Sequence, residues 1–241
     1  MQTSSILLRW SPGVRAGLVL AIAAVVAAGA VLGAYSYAAW DWRGHAFAGF
    51  LPTRELTVSD SGPFGSDPWP ALDAGLAPGD RIVGVGNVAL DALSPGERIA
   101  AFNRELAAHT PGERVSLRFA PQDGAGPRGA TCQTVDGTAI CTVLITLARF
   151  SMGDFLGFFG VSWVAAVAMW LVALGLIVRW PDRRPLRILA GLAALLAVVV
   201  AGRFDSLTTQ YFVPAWLAAQ ALAGGLAVLF ALTFPYEFAA L

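Results

Sequence analysis

Lysine is absent from this chain, and all sixteen of its basic residues are arginine. A mixed protein surface ordinarily uses both, so the arginine-only usage reads as a genomic coding bias. Charge of either sign is scarce, at 13% of 241 residues against about 25% in soluble domains, while apolar residues reach 56%. That balance excludes an ordinary soluble protein. A formal net charge of zero, with no basic tract, removes the electrostatic footprint of nucleic-acid binding. Histidine is nearly missing: His45 and His109 are the only two, so a serine or cysteine nucleophile has few bases to activate it. No H-E-x-x-H occurs, nor a P-loop, nor a G-x-G-x-x-G opening a helix. No pair of aspartates lies inside an apolar run; Asp205 and Glu237 stand at run ends, where interfacial solvation explains them. The expectation is a non-enzymatic chain with no cofactor and no metal.

What is abundant is also clustered. Four apolar runs are long enough to cross a hydrocarbon core of about 30 Å, and they divide the chain. The expected order is a cytoplasmic N-terminus (1–13), span one (14–37), an extracytoplasmic domain (38–153) and span two (154–178). A cytoplasmic loop (179–185), span three (186–202), an extracytoplasmic loop (203–210), span four (211–234) and a cytoplasmic tail (235–241) follow. A cleaved signal peptide is the rival reading of the first run, with cleavage near Ala28–Gly29 or Ala38–Ala39, but its length favours a retained anchor. The third span is the weakest, because Arg187 and Arg203 must snorkel toward headgroups.

Orientation follows from arginine bias over short loops. Arg9 and Arg15 precede the first span, and Arg179, Arg183, Arg184 and Arg187 crowd the link between the second and third. Both arginine-rich ends therefore belong in the cytoplasm, which an even number of crossings satisfies. Trp10, Trp180, Phe234 and Tyr236 are expected at one interface; Trp40, Trp42, Phe155, Phe158, Tyr211 and Trp216 at the other. Gly29 and Gly33 form a GxxxG, and Ala215, Ala219, Ala223, Ala227 and Ala231 repeat every fourth position. Such stripes permit close helix contact in lipid, and in an alanine-rich chain they also arise by chance.

Between the first two spans the character changes. Residues 38–153 carry nine Arg and twelve Asp plus Glu, with proline, glycine and strand-like alternation. The clearest stretch is Ala74-Gly-Leu-Ala-Pro-Gly-Asp-Arg-Ile-Val-Gly-Val-Gly-Asn87. Gly75 suits a left-handed position ending a helical turn. Pro78-Gly79 supplies the preset φ and permissive second residue of a tight turn, where Asp80 accepts backbone hydrogen bonds. Ile82 and Val85 are expected in a core, and Gly86-Asn87 in a hairpin turn before Val88. Ser94-Pro-Gly-Glu97 is a capping box with proline at the first helical position, followed by Ile99, Phe102 and Leu106 at helical spacing. Arg114–Phe119 and Thr142–Leu147 alternate as strands.

The 74–87 stretch resembles the AGL-x-PGD-x-I-x-x-V-N-G signature of bacterial PDZ domains, with Asn-Gly reversed as Gly86-Asn87. The resemblance covers roughly residues 50–148 and is specific over 71–119. It implies an α+β domain of antiparallel strands and one main helix, joined to a membrane α-helical part of four spans. It further implies a peptide ligand that adds a strand beside the helix. The candidate groove lies between Leu56, Thr57, Val58 and Ser59 and the Ile99 face of the helix, with Gly49-Phe50-Leu51 as a remnant carboxylate loop. The alternative is a PDZ fold serving only as a rigid ectodomain.

Cys132 and Cys141 are the only cysteines. Asp136-Gly137 is a two-residue hairpin turn, and counting outward pairs Val135 with Thr138, Thr134 with Ala139, Gln133 with Ile140 and Cys132 with Cys141. The cysteines thus fall on a non-hydrogen-bonded pair, where Cα atoms approach to about 4.5 Å. A structural disulfide in an oxidising compartment is expected. Two free thiols or a metal site are the alternatives, and two cysteines with no nearby histidine pair make a poor zinc site.

The layout of one span, a PDZ-like domain and several spans ending in Leu232-Thr-Phe-Pro-Tyr236, after Asp205 and Trp216, is similar to the N-terminal sensor region of bacterial membrane histidine kinases. It implies a sensory input module in the bacterial cytoplasmic membrane. Such a module binds a peptide or protein outside the cytoplasm and relays to a cytoplasmic signalling partner. No phosphoacceptor histidine or ATP-binding region lies within the sequence, so the module is expected to be truncated or standalone. Its expected partners are membrane lipid and other membrane proteins. A structural or accessory subunit of a larger membrane complex is the second reading, and an adaptor for a membrane protease the third.

Overall fold

The computed structural model describes residues 12–65, 67–124, 126–127, 129–135 and 137–238. Arg9, Trp10 and Asp136 lie outside the described residues, as do the side chains of Tyr236 and Glu237. The chain divides into two compact units. One comprises Met1–Ser36, Val161–Arg203 and Phe212–Leu241, the other Tyr37–Gly160 and Phe204–Tyr211.

The first unit is helical. It is built from α1 (Pro12–Arg43, as far as Ser36), α5 (Val161–Arg179), α6 (Arg184–Ala201) and α8 (Val213–Phe238). Four helical stretches are long and apolar enough to cross a membrane: Arg15–Arg43, Met152–Arg179, Arg184–Ser206 and Val213–Phe234. Each apolar run of the sequence falls on one of them. The third run accommodates Arg187 because α6 is the inner helix of the unit: 50% of its apolar window is buried, against 11–28% in the other three, whereas Arg203 lies beyond α6 and is exposed. Arg187 lies on that inner helix. It is buried, and its Nη1 donates to the Pro181 carbonyl at 3.2 Å.

Close helix contact is made by a different small-residue stripe from the one expected. On α6, Ala190, Ala194, Ala197 and Ala201 are all buried, at i+4 and i+3 steps. On α8 only Ala219 and Ala223 are buried, while Ala215, Ala227 and Ala231 are exposed. The GxxxG of α1 is likewise half used. Trp170 lies over Gly29, where a Cβ would sit 3.1 Å from the indole, and its Nε1 donates to Val25 O at 2.9 Å; Gly33 has open space.

The second unit is a mixed domain. Five antiparallel strands stand in the order β3 (Val88–Ala89), β2 (Arg81–Val85), β4 (Arg114–Ala120), β6 (Thr138–Thr146), β5 (Thr131–Val135). A two-stranded ribbon joins β1 (Ala46–Phe47) to β7 (Ala148–Arg149). The main helix α3 (Pro95–Ala107) buries Ile99, Phe102 and Leu106, the residues one helical face presents. They meet Leu56, Val58, Ile82, Val85, Leu117 and Phe119 in one apolar core. The start of α3 carries the expected capping box. Glu97 Oε2 accepts from the Ser94 backbone N–H at 3.1 Å and from its hydroxyl at 2.6 Å. The pairing of Arg114–Phe119 with the strand from Thr142 holds, and Thr131–Val135 is added on its far side.

A second core in this unit is aromatic. Phe47, Trp69, Phe150, Phe155, Phe159 and Phe204 are buried together, with Phe158 and Trp42 packed against them. Rings meet edge to face at 4.9 Å for Phe47–Phe150 and 5.0 Å for Trp42–Phe150. Trp42, Phe155 and Phe158, expected in a headgroup belt, belong to this cluster instead. Trp40 and Tyr211 are exposed, as a belt requires. The cluster is served by α4 (Met152–Phe155) and the π-helical turn Leu156–Gly160, which seats Phe159 inward.

Candidate functional site

The turn motif has the geometry its residues dictate. A short helix α2 (Pro70–Asp73) ends at Gly75, whose φ of +94° is the left-handed value glycine tolerates; a Cβ there would lie 2.5 Å from Pro127. Ala77 O then accepts from Asp80 N at 3.1 Å, closing a turn with Pro78 first and Gly79, φ +93°, second. That is the type II pattern. The Asp80 carboxylate is 4% exposed and accepts two backbone hydrogen bonds: from Ala77 N at 2.9 Å and from Gln122 N at 3.0 Å. It ties the turn to the end of β4. Ile82 and Val85 are buried as expected.

Val85 pairs with Val88 across the Gly86-Asn87 hairpin. Of the two central residues only Gly86 has a positive φ, +52°. A type II′ turn needs glycine first, whereas Asn-Gly serves type I′. The reversed order thus changes the turn type and leaves the strand register intact.

The candidate groove residues come together, but not around a groove. Leu56, Val58 and Ile99 are 0–2% exposed in one core, and only Thr57 is half exposed. Leu56 is not a strand residue. Its φ is +59°, and its N–H donates to Thr53 O at 3.0 Å, so it closes a tight turn. A left-handed leucine costs about 1–2 kcal/mol, and complete burial of its side chain offsets that.

Both backbone edges of the short strand that follows are occupied. On one side Val58 N donates to Asp80 O at 2.8 Å, while Gly79 N donates to Val58 O and Ile82 N to Leu56 O at 2.9 Å. On the other, Thr53 N donates to Thr57 O at 2.9 Å and Ser59 N to Leu51 O at 3.0 Å, with Pro52 bridging Val58. The chain's own Leu51–Thr53 therefore takes the edge that an incoming peptide strand would use. Phe50 fills the space toward the helix, its ring centroid 5.6 Å from that of Phe102. The Gly49-Phe50-Leu51 loop is packed shut: a Cβ at Gly49, φ +91°, would lie 2.2 Å from Pro70 N.

The cysteine hairpin has the expected register at every pair, from Val135–Thr138 to Cys132–Cys141. The two cysteines stand at disulfide distance, with Cα atoms 4.0 Å apart and sulfurs 2.04 Å apart. Strand β5 is exposed along its whole length and forms one edge of the sheet.

One chemically important residue escaped the sequence reading. Asp154 is 1% exposed; its Oδ1 accepts from Phe64 N at 2.7 Å and its Oδ2 from Trp69 Nε1 at 2.9 Å. Ser151 Oγ accepts from Asp154 N at 3.0 Å, so the Ser151-x-x-Asp154 spacing was the available signal. The carboxylate turns away from the cap and holds Phe64 and Trp69 at the aromatic core.

His109 Nδ1 lies 2.8 Å from Glu113 Oε2, with Glu105 at 3.7 Å, and His45 is exposed near the end of α1. Among the described residues, no group of three or more His, Cys, Asp or Glu side chains is disposed to hold a metal ion. Comparison with protein-family models, with curated proteins and with solved structures finds no match for this chain.

Proposed function

We propose that the chain is a non-catalytic, multi-pass protein of a bacterial cytoplasmic membrane, with a PDZ-like domain held outside the cytoplasm as an input module. The observation that carries this reading is the ordered series of α2, the Gly75–Asp80 turn, β2, β3, the capped helix α3 and β4, in a chain with four membrane-length helices. The side assignment is supported by arginine bias, since residues 179–187 contain four arginines and one aspartate. A cysteine pair at disulfide distance suits the oxidising side.

In this reading the module senses a peptide or protein and relays to a membrane or cytoplasmic partner. Strand addition at residues 56–59 requires that Leu51–Thr53 first give way. Among the described residues, the outer edge of β5 is the longer of the two sheet edges with no further strand paired to it. The occupied edge also favours a second reading, an accessory subunit whose rigid ectodomain docks in a larger membrane complex. A C-terminal peptide library presented to the full chain in detergent separates the two. Selective binding that a Cys132→Ser/Cys141→Ser hairpin or a Phe50→Ala core alters supports the input module. Uniform absence of binding, with recovery of a stoichiometric complex from membranes, supports the subunit.

A further inference from the structure

At the arginine-rich end of the helical unit, a cavity of about 580 Å³ opens between α1, α6 and α8. Its walls are Gly17, Leu20, Ala24 and Leu226, and its rim is Arg184 and Arg187. The volume falls in the roughly 300–1,000 Å³ range of sites for organic ligands. The lining thus combines an apolar surface with two cations, the chemistry that an amphipathic ligand with an anionic head requires.

The rim is built rather than incidental. Arg187 is held by its donation to Pro181 O, and its guanidinium lies against α1 at Gly17, where a Cβ would be 3.6 Å from Nη2. Arg184 is exposed one turn earlier on α6, and Asp182 is the sole acid among residues 179–187. On the apolar side Leu20 is 71% exposed, so the cleft is open laterally at this residue of α1. An acyl chain can therefore enter from the bilayer without opening the helix bundle.

We propose that this cleft binds an anionic phospholipid, with the phosphate on Arg184 and Arg187 and an acyl chain along Leu20, Ala24 and Leu226. Charge complementarity selects the anionic lipid over a zwitterionic one, because basic pockets between spans at the cytoplasmic face favour such headgroups. The inference rests on the membrane reading given above and assigns a specific lipid class to one site.

The test is native mass spectrometry of the full chain in detergent, titrated with phosphatidylglycerol or with phosphatidylcholine of identical acyl chains. The wild type is expected to bind phosphatidylglycerol more tightly. Arg184→Gln and Arg187→Gln should each weaken that binding by about fivefold. Neither should change phosphatidylcholine binding, whereas Ala24→Trp should reduce both lipids by filling the apolar wall. Equal affinity for the two lipids in the wild type, or an unchanged preference in the double arginine variant, overturns the proposal. Displacement of bound lipid by excess inorganic phosphate alone assigns the rim to a free anion and also overturns it. Release of the chain from membranes by alkaline carbonate overturns the membrane reading itself; a retained chain without lipid preference overturns only this inference.

Discussion

Asp154 offers the sharpest test of how the second unit is held together. Replacing it with asparagine keeps the volume within one atom, so no cavity forms. One carbonyl oxygen then faces two donors, Phe64 N–H and the Trp69 indole, which now occupy 2.7 and 2.9 Å hydrogen bonds to a carboxylate. Hydrogen bonds to a charged group contribute about 1.5–3 kcal/mol each, and a buried donor left unpaired costs about 1–3 kcal/mol. Asp154→Asn should therefore cost about 2–3 kcal/mol, and Asp154→Ala about 3–6 kcal/mol because both donors lose their partner. The assay is amide hydrogen exchange of the full chain in detergent micelles, read at the peptide containing Phe64 and referenced to β4. A loss of 2–3 kcal/mol speeds local opening by roughly 30- to 160-fold, at about 1.4 kcal/mol per tenfold. Unchanged exchange at Phe64 in both variants would refute the assignment of Asp154 as the anchor of this loop.

Two further outcomes follow from the same domain. Alkylation without reductant, followed by intact-mass measurement, should leave Cys132 and Cys141 unmodified; two modified thiols contradict the bond. Their separation of nine residues closes a short loop, so Cys132→Ser/Cys141→Ser should destabilise the β5–β6 hairpin by up to about 2.7 kcal/mol on chain-entropy grounds. Hydrogen exchange should show the loss in β5 first. Acid stability should track Glu97 and Glu113. The Ser94 hydroxyl and then its N–H hold Glu97 below the ordinary 4.5; the Thr110 hydroxyl and then His109 do the same for Glu113. Because both folded-state values are depressed, their contributions are complete above 4.5 and are lost as pH falls through the lowered values. Circular dichroism of Glu97→Gln/Glu113→Gln should show a shallower acid loss of helix than the wild type, and coincident profiles would contradict this.

The parts legible in the sequence are those governed by neighbours along the chain. Gly75, Pro78, Gly79 and Asp80 specify their turn through φ preferences and short-range hydrogen bonds. Ser94 and Glu97 specify a helix start, and a two-residue turn sets the Cys132–Cys141 register. What was not legible depends on partners distant in sequence. Asp154 draws no notice in the sequence, because its partners Phe64 and Trp69 stand 90 and 85 residues away. Arg187 weakens a span on a linear scale, yet it is buried and bonded on the innermost helix of its unit. Leu56–Ser59 has the composition of an open strand, and only the fold reveals that Leu51–Thr53 already pairs with it. Phe155 and Phe158 look like belt residues because aromatic content alone does not distinguish a headgroup layer from a ring cluster.

The proposed topology puts residues 37–160 and the arginine-rich 179–187 segment on opposite faces of a bilayer. In a Cys132→Ser/Cys141→Ser background, single cysteines at the exposed positions Asp91 and Asp182 can be probed with a membrane-impermeant maleimide on intact cells. The Asp91→Cys chain should be labelled directly, and the Asp182→Cys chain only after permeabilisation. Labelling of both from the same side contradicts the topology and the function proposed on it.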